Sequence, residues 1–190
     1  MSHPFFAMLS RMRYINRWGL MRNTFQENIQ EHSHQVAVLA HALAVIQNRF
    51  YGGQIDPGAV AVAALYHDAS EILTGDMPTP IKYDNPDIQA AYKQVEAVAE
   101  QKLLSMLPEE LRCDFDEAVT VPDPEVHAIV KAADKLSAYI KCVEEQKAGN
   151  TEFDSAAALT MQAMKEMKLP ELDWFIKKCL PAFSLNLDQL

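Results

Sequence analysis

The chain has 190 residues, 49% of them hydrophobic, and a formal net charge of −9 at pH 7. This length and apolar content suffice for one hydrophobic core, and we predict a single domain over residues 1–190. The negative charge disfavours a broad surface for nucleic acid polymers or anionic membranes. No segment has the pattern of a signal peptide or a membrane span, so we expect a soluble, cytoplasmic protein.

The composition predicts an all-α fold. Only six glycines and 8% aromatic residues occur, whereas Ala, Leu, Met, Glu and Gln, which favour helices, are frequent. The three cysteines are scattered along the chain without CxxC spacing. This pattern predicts reduced thiols and argues against a disulfide framework or a zinc knuckle.

The N-terminal region combines a short amphipathic helix, predicted over Phe5 to Tyr14, with a basic loop. Arg17 and Trp18 lie in this loop, with Arg22 a few residues further on. A guanidinium can grip a phosphate while a neighbouring indole shields a sugar or a base. On these residues alone the alternative stays open: a surface arginine beside a tryptophan that plugs the core.

A second helix, predicted from residues 28–33 to Phe50, carries His32. The apolar residues Val36, Leu39 and Leu43 share a face with this histidine, so its side chain is predicted to point toward the core. A histidine on an apolar face is more often a core residue with satisfied hydrogen bonds than a ligand. Both interpretations remain open at this point.

Residues 65–83 are the segment richest in reactive side chains. A helix that continues to Gly75 would place His67, Asp68 and Glu71 on one side, because they are three or four residues apart. An imidazole beside two carboxylates is costly to bury unless a cation or a substrate occupies the space. The Pro-containing loop after Gly75 is predicted to form a substrate rim.

Further helices are predicted over residues 86–107, 125–149, 151–167 and 170–180, followed by an extended tail. Asp134 lies at the edge of the apolar stripe of the second of these helices, where a carboxylate needs a partner. Lys131 and Lys135 point elsewhere on the helical wheel and would serve poorly as partners.

Four residues from three predicted helices form a candidate metal site: His32, His67, Asp68 and Asp134. Two imidazoles with two carboxylates suit a first-row divalent ion such as Mn, Co, Fe, Ni or Zn. Helices that cross in a bundle can direct such residues to one point. An ion held there would acidify water and polarise a phosphoryl oxygen, which suits hydrolysis without a covalent intermediate.

The order H…HD…D resembles the signature of the HD-domain metal-dependent phosphohydrolases. Four segments also resemble the bacterial YfbR-type 5′-deoxynucleotidases: NRWGLMRN, ENIQEHSHQVA, YHDASEILTGDMPTPIKY and KAADKLSAYIKCVEE. The resemblance runs almost end to end. It implies an HD-domain helical bundle, one divalent ion such as Co or Mn, a deoxyribonucleoside monophosphate as the small-molecule substrate, and a homodimer.

The resemblance also implies roles for single residues in the metal centre and in catalysis. The metal positions are matched by His32, His67, Asp68 and Asp134. Glu71 matches the catalytic carboxylate that orients or deprotonates the attacking water. Arg17 matches the residue that holds the 5′-phosphate.

The remaining implied positions lie around the sugar. Trp18 matches the bulky neighbour that disfavours a 2′-hydroxyl. Asp76 matches the residue that meets the 3′-hydroxyl, and Met77, Pro78 and Thr79 continue the pocket wall. Met77 replaces another apolar residue, and Gly19 replaces a proline, which affects loop stiffness more than chemistry. From its own sequence context Asp76 is equally consistent with a turn residue.

Other functions fit the sequence less well. An alarmone pyrophosphohydrolase or a deoxynucleoside triphosphatase would need more cations than Arg17, Arg22 and Lys82, and Lys82 is more simply a solvated lysine. A di-iron oxygenase would need further histidines at matching places. A catalytically silent binding module would need neither Glu71 nor Arg17.

Overall fold

A computed structural model describes residues 2–78 and 85–190, and regular secondary structure in these ranges is helical. The α-helices are α1 (Phe5–Leu9), α2 (Ile29–Tyr51), α3 (Pro57–Tyr66), α4 (Glu71–Thr74), α5 (Pro86–Leu104), α6 (Arg112–Thr120), α7 (Pro124–Lys147), α8 (Asp154–Glu166) and α9 (Pro170–Lys178). Short 3₁₀ segments are Ser10–Tyr14, Glu109–Leu111, Thr151–Phe153, Leu180–Ser184 and Leu187–Gln189. The predicted all-α class is confirmed. Within these ranges no helix combines the length and apolar character that crossing a bilayer requires.

Helix α2 begins and ends at residues suited to those positions. The side chain of Asn28 accepts hydrogen bonds from the N–H groups of Gln30 and Glu31, both at 3.0 Å. Glu31 in turn accepts from the Asn28 N–H at 3.2 Å, which completes a capping box. The helix ends at Gly52, whose φ of 77° lies in the left-handed region that glycine adopts without steric cost. His32 therefore lies in a well-anchored first turn.

The main core forms where α2 packs against α3, α7 and α9. The residues predicted to share a face with His32 are fully or almost fully buried: Val36, Leu39, Leu43 and Ile46. Helix α7 contributes the buried side chains Ile129, Val130, Ala133, Leu136 and Ile140. Burial of this apolar surface, worth about 25 cal/mol per Å², fixes α2 and α7 side by side. That packing brings His32 and Asp134 together.

The predicted continuous helix through His67 is wrong. Helix α3 ends at Tyr66, and residues 67–70 form a turn before α4 begins. Backbone hydrogen bonds here join residues three apart, as from Glu71 N–H to Asp68 O at 3.0 Å, so the chain tightens toward 3₁₀ geometry. Residues three apart eclipse in that geometry, which keeps Asp68 and Glu71 on one side. Helix α4 ends at Gly75, as predicted.

Other predicted bounds also differ, and always where a helix is short or frays. The first predicted helix divides into α1 and a 3₁₀ segment at Ser10, and α5 ends at Leu104 instead of Leu107. The tail forms 3₁₀ turns where an extended cover was expected. Apolar spacing does not separate three-residue from four-residue hydrogen bonding, and short segments readily adopt the former.

Candidate active site

Two imidazoles and a carboxylate meet between α2 and the turn that follows α3. One ligand atom from each of His32, His67 and Asp68 lies within 4.8 Å of the other two. Asp68 Oδ2 is 3.4 Å from His32 Nε2 and 3.2 Å from His67 Nε2. Three of the four predicted metal positions are thus adjacent, and their mixed nitrogen and oxygen donors suit a first-row divalent ion.

Asp134 borders this cluster from α7. Its Oδ1 lies 3.1 Å from His32 Nε2 and 3.8 Å from Arg17 Nη2. It stands outside the three-residue set whose ligand atoms lie within 4.8 Å of one another. The structure therefore places Asp134 directly against one of the two histidines, and its service as a fourth ligand stays a prediction.

Both histidines direct Nε2 toward the cluster. In the described part of the chain these two nitrogens are buried and have no hydrogen-bond partner. His67 Nδ1 lies 2.8 Å from the carbonyl oxygen of Ala64, so Nδ1 carries the proton and the lone pair is on Nε2. His32 Nδ1 lies 3.1 Å from Ser137 Oγ, and that hydroxyl donates to Gln35 Oε1 at 2.6 Å. These contacts orient the His32 ring so that Nε2 faces the cluster.

Burial and charge act together on the protonation of these groups. Burial raises the pKa of Asp68, but attraction to the neighbouring His67 outweighs it and brings this pKa to about 2. Burial also raises the pKa of Asp134, yet its close contact with His32 lowers it overall. Burial lowers the pKa of His32, and the nearby Arg17 lowers it further. At neutral pH the carboxylates are therefore anionic and His32 is neutral, as metal ligation requires. Burial lowers the pKa of His67, but the carboxylates of Asp68 and Asp134 outweigh it and raise this pKa, so an ion that binds His67 would displace a proton.

Arg17 reaches the cluster from the loop that precedes α2. Its backbone N–H donates to Glu27 O at 2.9 Å, and its Nη1 donates to Glu27 Oε2 at 3.1 Å. The same guanidinium contacts His32 Nδ1. Burial would lower the pKa of Arg17, but the carboxylates of Asp134 and Glu27 outweigh it and raise the pKa. A permanently charged fork, well suited to an oxyanion, thus stands beside the metal positions.

Trp18 follows in a left-handed backbone conformation, with φ of 58°. Its indole Nε1 donates to Glu27 Oε2 at 3.2 Å, and its ring packs against Phe153 with centroids 5.3 Å apart. The Arg17 guanidinium lies 5.9 Å from the centre of the indole. Trp18 therefore packs on a core phenylalanine and also lines the cleft, and its contact with a sugar or a base stays a prediction.

A cleft of about 150 Å³ adjoins the cluster. Its lining is Arg17, Trp18, Asp68, Glu71, Asp76, Met77, Asp134, Lys135, Ala138 and Thr160. Phosphate-binding, metal-binding and catalytic candidates thus share one cavity with two of the predicted rim residues. Pro78 is half-buried and is not part of this lining. Thr79 lies outside the described residues, as does Lys82.

The sequence does not indicate two charged residues of the site, Lys135 and Glu27. Lys135, expected to point away, lines the cleft together with Asp134 and Ala138, because the cavity is wider than one row of the helix surface. Its position next to Asp134 was the available signal. Glu27 had no signal at all, since only the folded loop shows that it contacts both Arg17 and Trp18.

Arg22, predicted to cluster with Arg17, does not join the site. Its side chain is 95% exposed and pairs with Glu152 at 3.5 Å. A basic residue five positions from Arg17 therefore belongs to the loop surface, where an ion pair contributes little.

A wider hollow of about 420 Å³ lies elsewhere, between α5 and α6. Its lining is Gln101, Leu104, Ser105, Arg112, Cys113, Asp116 and Glu117. Arg112 is its one cation, and within the described residues its thiol and carboxylates are not among the groups whose donor atoms converge as for a metal ion. The smaller cleft is the candidate active site because the reactive groups converge there.

Solved structures of helical phosphohydrolases share this architecture. An HD-domain phosphohydrolase from Listeria innocua superposes with a TM-score of 0.82, at 22% identity, over 95% of this chain and 88% of its own. The HD phosphohydrolase of cyanophage S-2L, bound to dA and one catalytic Zn²⁺ ion, superposes with a TM-score of 0.67, at 22% identity, over 93% of this chain and 95% of its own. The fold is therefore that of the HD-domain proteins, as predicted.

Sequence comparison identifies the family within this class. The profile of the YfbR-like 5′-deoxynucleotidases matches residues 4–183. A 5′-deoxynucleotidase of Yersinia pestis (strain Pestoides F) is 52% identical over 194 residues, covering 100% of this chain and 97% of the relative. A 5′-deoxynucleotidase of Vibrio atlanticus (strain LGP32) is 50% identical over 188 residues, covering 98% and 97%. The chain belongs to the YfbR-like 5′-deoxynucleotidase family, which confirms the predicted resemblance.

Proposed function

We propose that the protein hydrolyses deoxyribonucleoside 5′-monophosphates to deoxyribonucleosides and phosphate, with a divalent metal ion as cofactor. The observation that carries this proposal is the convergence of Arg17, Glu71 and the His–Asp cluster on one cleft. Membership of the 5′-deoxynucleotidase family supports the activity and the substrate class.

The chain's donor set fits a metal ion. Two imidazole nitrogens, His32 Nε2 and His67 Nε2, are buried and without a hydrogen-bond partner in the described residues, and both lie within 3.4 Å of Asp68 Oδ2. We assign His32, His67 and Asp68 as ligands, with Asp134 as the fourth. Two nitrogens and two oxygens suit one ion of Co, Mn or another first-row metal. When bound, such an ion supplies Lewis acidity toward water and toward a phosphoryl oxygen.

The residues around the cluster account for the remaining chemistry. Arg17 binds the phosphate dianion and offsets charge as it moves onto the leaving oxygen. Glu71 orients the attacking water and accepts its proton as the new bond to phosphorus forms. The bond between phosphorus and O5′ then breaks. O5′ takes up a proton from solvent and leaves as the deoxynucleoside hydroxyl, while Glu71 returns its proton to solvent. Glu71 is almost fully buried and lines the cleft, so bulk water competes little for its carboxylate.

Selection of the sugar falls to the loop residues. Trp18 places its indole where it disfavours a 2′-hydroxyl, and Asp76 meets the 3′-hydroxyl. Met77 continues the wall beside them, and the family resemblance adds Pro78 and Thr79 as substrate-binding residues. This arrangement is supported by the lining of the cleft, which includes Trp18, Asp76 and Met77.

We further propose that the protein forms a homodimer and that it resides in the cytoplasm. Large apolar side chains are exposed on the neighbouring helices α2 and α3, among them Val38, Val45, Val62 and Leu65, and such faces favour association. All three cysteines are free, which agrees with a reducing compartment. Sedimentation equilibrium tests the dimer. A measured mass equal to that of one chain at every concentration would rule it out.

Phosphate release from the metal-stripped protein tests the activity. We would supply dAMP and AMP in parallel and add back Co, Mn, Zn or Mg. Metal-dependent release from dAMP, with little from AMP, is the expected result. Equal turnover of both nucleotides would remove the role of Trp18, and bound metal without any turnover would point to another phosphorylated substrate or to a silent binding module.

A further inference from the structure

One oxygen atom joins the two residues that the proposed function assigns to the phosphate and to the sugar. Glu27 Oε2 accepts from Arg17 Nη1 at 3.1 Å and from Trp18 Nε1 at 3.2 Å. Glu27 is only 8% exposed. It lies outside the cleft lining, so its carboxylate acts behind both side chains and not on a ligand directly.

The orientation of Trp18 depends on this contact. Its backbone has a left-handed φ of 58°, which a side chain as large as tryptophan adopts only when the surroundings hold it there. Phe153 packs against the indole, which restrains its tilt but provides no polar contact. The hydrogen bond from Nε1 to Glu27 fixes how the indole is rotated within its own plane.

The position of Arg17 depends on the same carboxylate. On its far side the guanidinium faces Asp134, with Nη2 3.8 Å from Oδ1. The lining of the cleft carries further carboxylates, Asp68 and Asp76 among them, that attract a cation. Glu27 holds the guanidinium from behind, by its side chain and by its backbone carbonyl, which accepts from Arg17 N–H at 2.9 Å.

We propose that Glu27 is a positioning residue that sets selectivity for 2′-deoxy substrates by holding Arg17 and Trp18 as one unit. The phosphate anchor and the indole then keep a constant separation, so a bound 5′-phosphate brings C2′ of the sugar against the indole at a fixed distance. Loss of the carboxylate releases both side chains together. This inference rests on the proposed function, because it assigns the origin of that function's selectivity.

The test compares dAMP and AMP turnover in the full chain with Glu27→Leu and Glu27→Gln. The leucine variant removes both hydrogen bonds, whereas glutamine keeps a carbonyl oxygen that can still accept from Trp18 Nε1. For Glu27→Leu we expect the ratio of kcat/KM for dAMP to that for AMP to fall about tenfold. For Glu27→Gln we expect this ratio to be kept, with a raised KM for dAMP because a neutral amide holds Arg17 less firmly.

A matched control separates positioning from loss of stability. Leu172→Ala creates a cavity in the core, because Leu172 on α9 is fully buried. This residue has no part in the cleft. This variant is expected to unfold more easily while its preference for dAMP stays at the wild-type value.

The outcomes separate the inference from the proposed function. If the wild type selects dAMP and Glu27→Leu, folded by circular dichroism, keeps the same ratio, the inference is overturned and the proposed function stands. A glutamine variant that loses selectivity as fully as the leucine variant also overturns it. A wild type that hydrolyses neither nucleotide removes the proposed function and this inference with it.

Discussion

Lys141 and Glu145 form an ion pair one turn apart on α7, and both side chains are almost completely buried, at 1% and 0% exposure. Lys141 Nζ also donates to Phe25 O at 2.7 Å and lies 3.5 Å from the centre of the Phe25 ring. Glu145 accepts from Thr24 N–H at 2.9 Å and from the Thr24 hydroxyl at 2.8 Å. The pair thus fastens the loop that carries Arg17 and Trp18 to the helix that carries Asp134.

Glu145→Gln is expected to destabilise the protein by about 3–5 kcal/mol, because it leaves Lys141 as a buried charge without its counter-ion. Urea unfolding followed by circular dichroism measures this change. The same substitution at Glu152, whose partner Arg22 is almost fully exposed, serves as the control and should cost under about 1 kcal/mol. Equal losses of unfolding free energy at the two positions would show that the buried pair stabilises the protein no more than the exposed pair does.

The pair also predicts a pH dependence of stability. Burial raises the pKa of Glu145, but hydrogen bonds from Lys141, Asn150 and Thr24 outweigh it and lower this pKa from 4.5 to about 2. A carboxylate with a depressed pKa in the folded state stabilises the fold at any pH above its pKa in the unfolded state. This stabilisation is lost as the pH falls toward its pKa in the folded state. The stability difference between wild type and Glu145→Gln should therefore be constant at neutral pH and shrink below about pH 4.5. Unfolding curves between pH 7 and pH 3 measure it, and a difference that grows on acidification contradicts the assignment.

Lys135→Ala is expected to raise the KM for dAMP about tenfold, the effect of losing one charge-assisted contact. Lys135 is a cation among the carboxylates that line the cleft, so it eases the approach of a phosphate dianion. Lys131→Ala, at an exposed position one turn earlier on α7, is the matched control and should leave KM unchanged. Similar KM values for the two variants would show that Lys135 makes no contact with the nucleotide.

Ser137→Ala is expected to weaken metal binding roughly 10- to 100-fold, the usual effect of removing a hydrogen-bond partner of a histidine ligand. The hydroxyl of Ser137 lies 3.1 Å from His32 Nδ1 and donates to Gln35, so it holds the ring with Nε2 directed at the ion. Titration of the metal-stripped protein with Co²⁺, followed by its visible absorption, gives the affinity. An unchanged affinity would show that Arg17 or the packing alone orients His32.

Periodicity was sufficient to predict the long helices to within a few residues, and the buried face of α2. Val36, Leu39 and Leu43 recur at helical spacing with His32, and packing against α3 and α7 buries them all. The turn at residues 67–70 was missed because apolar spacing does not separate backbone hydrogen bonds three residues apart, such as Glu71 N–H to Asp68 O, from those four apart.

The candidate site was predictable to the extent that its residues carry unusual chemistry in a recognisable order. His32, His67 and Asp68 come together as expected. Lys135 had only its position next to Asp134 as a signal. Glu27 could not be predicted, because an acidic residue in a charged chain is ordinary until the fold places it. Glu27 contacts Trp18 from nine positions further along the chain, a separation over which no local pattern extends.

We propose that this cleft binds the deoxynucleotide and that Glu71 turns binding into hydrolysis. The most direct measurement compares wild type with Glu71→Gln, using the equilibrium affinity for dAMP and the single-turnover rate of phosphate release in the presence of Co²⁺. We expect the affinity to stay within a few fold and the rate to fall by about 10²–10⁴, the contribution of a positioned general base. A variant that keeps the wild-type rate would contradict the account.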